Sequence, residues 1–224
     1  MSTFEATYVS VLAGLLGALL GAFVAWLLQL QEKKHRARKE QINQLRFAQV
    51  VIAAQHNAMC GLWNQFLAAH EQDPNRHREI TTVGDYVEHL FINVSALGFL
   101  VEMDEPTLIL DLNMANADFQ LAVGCLAFRN NCLDEAMKIS VISASSGGDL
   151  DTSLFVPAEN DHLIKIVTNN LYQSVITAMA TCEKANQCIC DAMKRRYKNA
   201  KPIESTFPKL GSDNKFAKVG ADNN

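Results

Sequence analysis

At 224 residues and 24.8 kDa the chain is long enough for one good core, or at most two small ones. Its 49% hydrophobic and 20% charged residues, with few Gly and Pro, exclude wholesale disorder, a collagen-like chain and an all-polar one. A net charge of −4 excludes a uniformly basic nucleic-acid binder, yet the charge is partitioned. Residues 32–46 carry six Lys/Arg against two Glu, and residues 194–224 carry eight against three. Residues 47–193 carry six against eighteen acids, so the ends are basic and the middle is acidic.

The first element is an uncharged stretch from Ala6 to Gln31, dense in Leu, Ala, Gly and Val. A bilayer core about 30 Å thick takes roughly 20 helical residues, and Tyr8–Leu30 supplies them. A signal peptide fits less well: Glu5 stands where its basic region belongs, and the apolar run is too long. Lys33, Lys34, Arg36, Arg38 and Lys39 follow at once. By the positive-inside rule they place the N-terminus outside and the rest of the chain in the cytoplasm, as expected of a single-pass inner-membrane protein. Tyr8 and Trp26 fall where aromatic belts form.

Beyond the anchor the apolar spacing is helical almost throughout. Leu45, Ala48, Ile52, Gln55, Met59, Leu62 and Phe66 form one face of a helix reaching about Glu71, where Asp73-Pro74 ends it. Phe47, Val51, Ala54, Ala58 and Gly61 form a second, smaller face. A second helix is expected from a cap at Asp85 through Met103. A third opens at Asp104, with Pro106 in its first turn, and reaches about Ser143. A Gly/Ser loop then lasts to Pro157, and a fourth helix runs from about Asn160 to Lys198. Its apolar side is Leu163, Ile166, Val167, Leu171, Val175, Ala178 and Met179. The expected architecture is all-α: a transmembrane helix (1–31), an antiparallel helical bundle (32–198) and a disordered polar tail (199–224). The bundle brings Arg195 and Arg196 back towards Lys33–Lys39, and both basic clusters are expected to face anionic lipid headgroups.

Signatures of catalysis are missing. There is no nucleophile elbow, P-loop, His-Glu-x-x-His or dinucleotide fingerprint, so no catalytic residue, metal or cofactor is assigned. The six cysteines form no Cys-x-x-Cys pair; a reducing compartment would keep them as thiols. Cys188 and Cys190 point about 200° apart on a helix. Cys125 and Cys132, seven residues apart, read as core. Arg129, followed by Asn130, is conspicuous in an otherwise apolar helix. It calls for a counter-ion, Asp118 or Asp111, or marks an anion pocket with Asn130, Asn93 or Asn169 as further donors.

Within the anchor, Ala13, Gly17, Gly21 and Ala25 recur every four residues. Small residues at that spacing favour close helix association. Leu12, Leu16, Leu19 and Phe23 lie on the other side, where a ring of helices would make an apolar constriction that closes by dewetting.

The layout of anchor Tyr8–Leu30, basic cluster Lys33–Lys39 and cytosolic helices resembles single-span membrane effectors of bacterial anti-phage systems. The segment from Asp104 to Asn130 is similar to a recurrent segment of single-span bacterial proteins. Among characterised architectures the channel effector of the Hailong system is the nearest suggestion, over residues 1–200. That resemblance implies a homotetrameric channel opened by a nucleotide or oligonucleotide second messenger, in abortive infection. The alternative is a membrane-tethered adaptor or scaffold with no pore.

The orientation is directly testable. An impermeant thiol reagent applied to intact cells is expected to label Ser2→Cys and not Gly211→Cys. The opposite pattern would reverse the topology.

Overall fold

The computed structural model describes residues 3–84, 90–144, 158–197 and 200–203, with side chains from Gly14 onward except at 139–144 and 158–159. The described residues are helical or irregular, with no strand. The principal helices are α1 (Thr3–Leu62), α4 (Pro106–Ala144) and α5 (Ala158–Arg196). Two single-turn helices, α2 (Arg76–Glu79) and α3 (Phe99–Glu102), stand between α1 and α4. The chain divides into two units, Met1–Gln44 and Leu45–Asn224.

The first unit is the N-terminal part of α1. It is long and apolar enough to cross a membrane, and none of its apolar window is buried. Leu16, Leu19 and Phe23 are more than half exposed, and a Cβ built on Gly17 or Gly21 would meet nothing within 4 Å. The side chains of Tyr8, Leu12 and Ala13 lie outside the described ones.

In the second unit the expected core face of α1 is buried, from Leu45, Ala48 and Ile52 to Met59 and Leu62. Hydrogen bonds fix its neighbours. Gln49 meets Asn186 (3.1 Å) and Cys190, Gln55 meets Cys182, Cys60 meets Met179, and the Tyr172 hydroxyl donates to the Leu67 carbonyl (2.7 Å). Sequence order therefore reverses between α1 and α5. It reverses again between α4 and α5, where Glu105 holds Arg195, Asp111 holds Lys184, and Arg129 holds Thr168. The main core joins Met59, Leu62 and Trp63 to Phe119 and Leu126 of α4 and to Leu171, Tyr172 and Val175 of α5.

After Leu62 the helix widens into a π-turn (Trp63–Leu67) and tightens into a 3₁₀ turn (Ala68–His70). Trp63 packs edge-on against Tyr172, with ring centroids 5.7 Å apart, and the Asp73 carboxylate caps the Asn75 amide at 2.7 Å. Asp73-Pro74 thus ends the run as expected.

Several expectations are corrected. No continuous second helix forms: Asp85 to His89 lie outside the described residues, Leu90–Asn93 is irregular, and a 3₁₀ turn (Val94–Leu97) and α3 follow. Ile80, Val83, Ile92, Leu97 and Leu100 are buried nonetheless, at spacings that match no helix face. Asp104 does not open α4. It takes φ 59° just after α3, where the Glu105 amide bonds back to the Leu100 carbonyl, and short polar side chains are among the few that tolerate this conformation. On α5 the expected stripe is buried from Val167 to Met179, but Leu163 and Ile166 are 43% exposed and Ile164 takes the buried place before them. Cys132 is buried in the core, and Cys125 is partly buried and packs against it. Ile203, assigned to the polar tail, exchanges backbone hydrogen bonds with the Gln49 amide (3.0 and 3.3 Å). The Gly/Ser loop at 145–157 and the tail beyond 203 lie outside the described residues.

His56 supplies a pH test. It is 2% exposed, and burial pulls its pKa below the ordinary 6.5 against a smaller opposing pull from Glu183. A base neutral in the fold and charged in the unfolded chain costs stability as pH falls through its unfolded value. Thermal midpoints are expected to drop between about pH 7.5 and about pH 5.5, and His56→Gln to flatten that slope. An unchanged slope in the variant would remove His56 as its source.

Candidate functional site

The most unusual polar constellation is the one around Arg129, whose residue is 0% exposed. Position 129 falls on the inward face of α4, one turn past Leu126 and next to Asn130, so helix periodicity alone drives it into the bundle. Its Nε donates to the Thr168 hydroxyl of α5 at 3.0 Å. Nη1 donates to the Thr81 carbonyl (3.3 Å), and Nη2 to the carbonyls of His77 (3.4 Å) and Ile80. Asn130 continues the pattern: its amide donates to the Val83 carbonyl (2.7 Å), and its oxygen accepts the Val83 N–H (3.4 Å). The two adjacent side chains therefore tie residues 77–83 to α4, replacing the ladder that a helix or strand would have provided.

The counter-ions expected from sequence are elsewhere. Asp111 pairs with Lys184 at 2.8 Å and accepts from Cys188; Asp118 lines the groove between α4 and α5. Burial pulls the Arg129 guanidinium down to about 10, so it remains charged at neutral pH. Three carbonyls and a hydroxyl, rather than a carboxylate, offset its desolvation. Four of the five N–H donors of Arg129 are thus engaged by groups of the fold itself, and Asn130 is engaged beside it. Asn169, the other expected donor, accepts the Arg76 guanidinium (2.8 and 3.2 Å), which also lies 4.1 Å over the Tyr172 ring.

Next to this node His77, 4% exposed, shares Asp161 with Arg78. The Asp161 carboxyl is held below its ordinary value, chiefly by its hydrogen bond from Arg78. His77 Nδ1 is buried without a partner among the described residues.

The basic clusters differ from one another. Arg195 donates to both Glu105 carboxylate oxygens (3.1 and 3.0 Å), and Arg196 to the Met103 carbonyl (2.6 Å). Both clamp the turn between α3 and α4, although their side chains remain about half exposed. Arg36 pairs with Glu32 one turn away, while Lys33, Lys34, Arg38 and Lys39 are exposed on α1.

An open groove of about 320 Å³ lies between α4 and α5, lined by Asp118, Leu121, Cys125, Asn170, Gln173, Ser174 and Thr177. Among the described residues no three His, Cys, Asp or Glu side chains could hold a metal ion. The thiols are quiet: burial raises Cys60, Cys132, Cys188 and Cys190, and pushes Cys182 up to about 12. Cys188 and Cys190 turn to different helices, Asp111 of α4 and Gln49 of α1. Sequence reading placed Gln55 on the core face of α1 without assigning it a role, and did not single out Asn116. Gln55 donates to Asn116 (3.1 Å) and to the Leu90 carbonyl (2.7 Å), and Asn116 accepts the Ile92 amide (3.2 Å). The available signal was an amide in the core register of a helix, Gln55 between Ile52 and Met59.

Comparison of the chain with protein-family models, curated proteins and solved structures found no match in any of the three.

Removing the guanidinium tests its structural role. Arg129→Met leaves buried carbonyls without donors and is expected to destabilise the fold by about 2–4 kcal/mol in urea unfolding. Arg129→Lys is expected to rescue little, because one ammonium cannot reach acceptors spread around a planar fork. Wild-type stability in both would show that the 77–83 segment is held by other means.

Proposed function

We propose that this chain is a single-span, membrane-anchored protein that assembles with copies of itself and acts as a gated pore. The anchor crosses the inner membrane with its N-terminus outside, and an antiparallel helical bundle stands in the cytoplasm. The observation that carries the reading is the covalent course of α1. One helix from Thr3 to Leu62 joins an unburied apolar stretch to a core face that includes Leu45, Ile52 and Met59. A change in the bundle that moved that core face would act on the helix leading to the anchor without an intervening loop.

The exposure of both anchor faces supports self-association. Gly17 and Gly21 offer open space to a close neighbour, and Leu16, Leu19 and Phe23 are left for a lumen or for lipid. No described anchor residue from Gly14 to Leu30 is ionisable, which suits an apolar gate better than a charged filter. Action in anti-phage defence, four subunits and a nucleotide messenger come from the architectural resemblance alone. Arg129 is fully buried with four of its five N–H donors engaged, so a trigger would engage another part of the bundle.

Reconstituted conductance separates this reading from a tethered adaptor. Gly17→Leu or Gly21→Leu is expected to weaken the oligomer and abolish conductance while leaving the bundle folded. Leu16→Ala or Leu19→Ala is expected to leak without a trigger, because a smaller side chain lowers the dewetting barrier. If all four behave as wild type, and an unrelated transmembrane helix substitutes for the anchor, the chain is a tether.

A further inference from the structure

The second unit closes its core well except on one face of α4. Leu110, Met114, Leu121 and Phe128 are 62%, 54%, 59% and 52% exposed, and Ala117 and Gly124 between them are exposed too. These six residues are spaced four, three, four, three and four apart, the stripe with which one helix packs along another. Bulky residues alternate with small ones over the last five, and a Cβ on Gly124 would meet nothing within 4 Å. The opposite face of α4, with Leu112, Ala115, Phe119 and Ala122, already fills the core. The outer stripe therefore duplicates the apolar patterning of a second interface that the single chain does not make.

We infer that the α4 stripe is a self-association surface, covered by the same stripe of a second copy of this chain. The area is suitable: the four large side chains leave on the order of 450 Å² of apolar surface per copy, the size at which an exposed apolar patch is often functional. That is about half of one partner's share in a standard interface, adequate for chains already concentrated by a common membrane. Charge separates the possible occupants. Between Leu110 and Phe128 the only ionisable side chains besides Cys125 are Asp111 and Asp118, with no Lys, Arg or His. Asp111 is neutralised by Lys184 at 2.8 Å. An anionic bilayer surface would favour a basic margin, which this stripe lacks. Two copies meet here with few like charges opposed, and Ala117 and Gly124 allow the helix axes to approach closely. The inference rests on the proposed membrane-anchored oligomer for its effective concentration, but concerns a different contact from the anchor.

The test uses the full chain in detergent, measuring assembly by native mass spectrometry and by a dilution series. Leu121→Arg places a charge in the stripe, and Gly124→Leu blocks close approach. Each is expected to raise the dissociation constant at least tenfold. Neither should weaken the fold, because Leu121 is exposed and Gly124 has open space, and thermal melts check this directly. Leu163→Arg, on exposed α5 surface, is expected to leave assembly unchanged. Wild-type dissociation constants in both α4 variants would overturn the inference and leave the stripe to lipid or a different protein. Equal loss in Leu163→Arg would overturn it as well. If only the anchor variants weaken assembly, this contact is wrong while the pore reading stands. If the α4 variants weaken assembly and conductance never appears, the contact stands and the pore reading fails.

Discussion

The bundle depends on satisfying backbone groups that are buried without belonging to any long helix. Residues 77–103 bury Ile80, Val83, Ile92, Leu97 and Leu100 against α1, α4 and α5, yet form only short turns where they are described. Buried peptide groups without partners cost about 1–3 kcal/mol each, so several together would exceed the margin of a small fold. The chain answers with side chains from its helices. Arg129 takes the carbonyls of His77, Ile80 and Thr81, Asn130 takes both polar groups of Val83, and Gln55 and Asn116 take Leu90 and Ile92. The identity of Arg at 129 follows from this geometry: three acceptors and a hydroxyl lie around one planar group, and only a guanidinium has donors in that arrangement.

The same principle explains why the Arg129 node is engaged within the fold. A ligand-binding Arg needs donors that remain free until the ligand arrives. Here the fold engages four of the five, and the desolvation that pulls Arg129 down to about 10 is the cost of keeping the charge inside. The basic residues at the end of α5 show a milder version. Arg195 and Arg196 carry the charge expected of a membrane-facing cluster, but Glu105 and the Met103 carbonyl claim their hydrogen bonds. Clustered charge read from a sequence thus overstates the charge offered to partners.

Surface left uncovered is the other informative feature. In the first unit, apolar side chains from Leu15 to Leu28 are about half exposed or more. In the second, the outer stripe of α4 is uncovered while the neighbouring surface of α5 turns polar at Asn170, Gln173 and Thr177. The two surfaces call for different environments. The first is uncharged and long enough for a bilayer, and the second is short, bordered by Asp and amides, and spaced for another helix.

By itself the sequence determined what depends on local periodicity and composition. That covers the long apolar N-terminal helix, the core face from Leu45 to Leu62, the break at Asp73-Pro74, and the two long helices that became α4 and α5 within a few residues at each end. Each is set by side chains three or four positions apart on one helix, and no distant partner alters that spacing. The tertiary structure decided the rest. Apolar content between Asp85 and Met103 suggested a helix, but helix-derived side chains satisfied the described backbone from Leu90 onward in another form. At the start of α5, Ile164 is buried in place of Leu163 and Ile166, because the packed neighbours select the buried face. Arg129 found carbonyls in place of Asp111 or Asp118 because a partner 48 residues away in sequence, Thr81, lies beside it in the fold. Which polar groups meet across such separations is decided by packing of whole elements, and residue spacing along one chain carries no record of it.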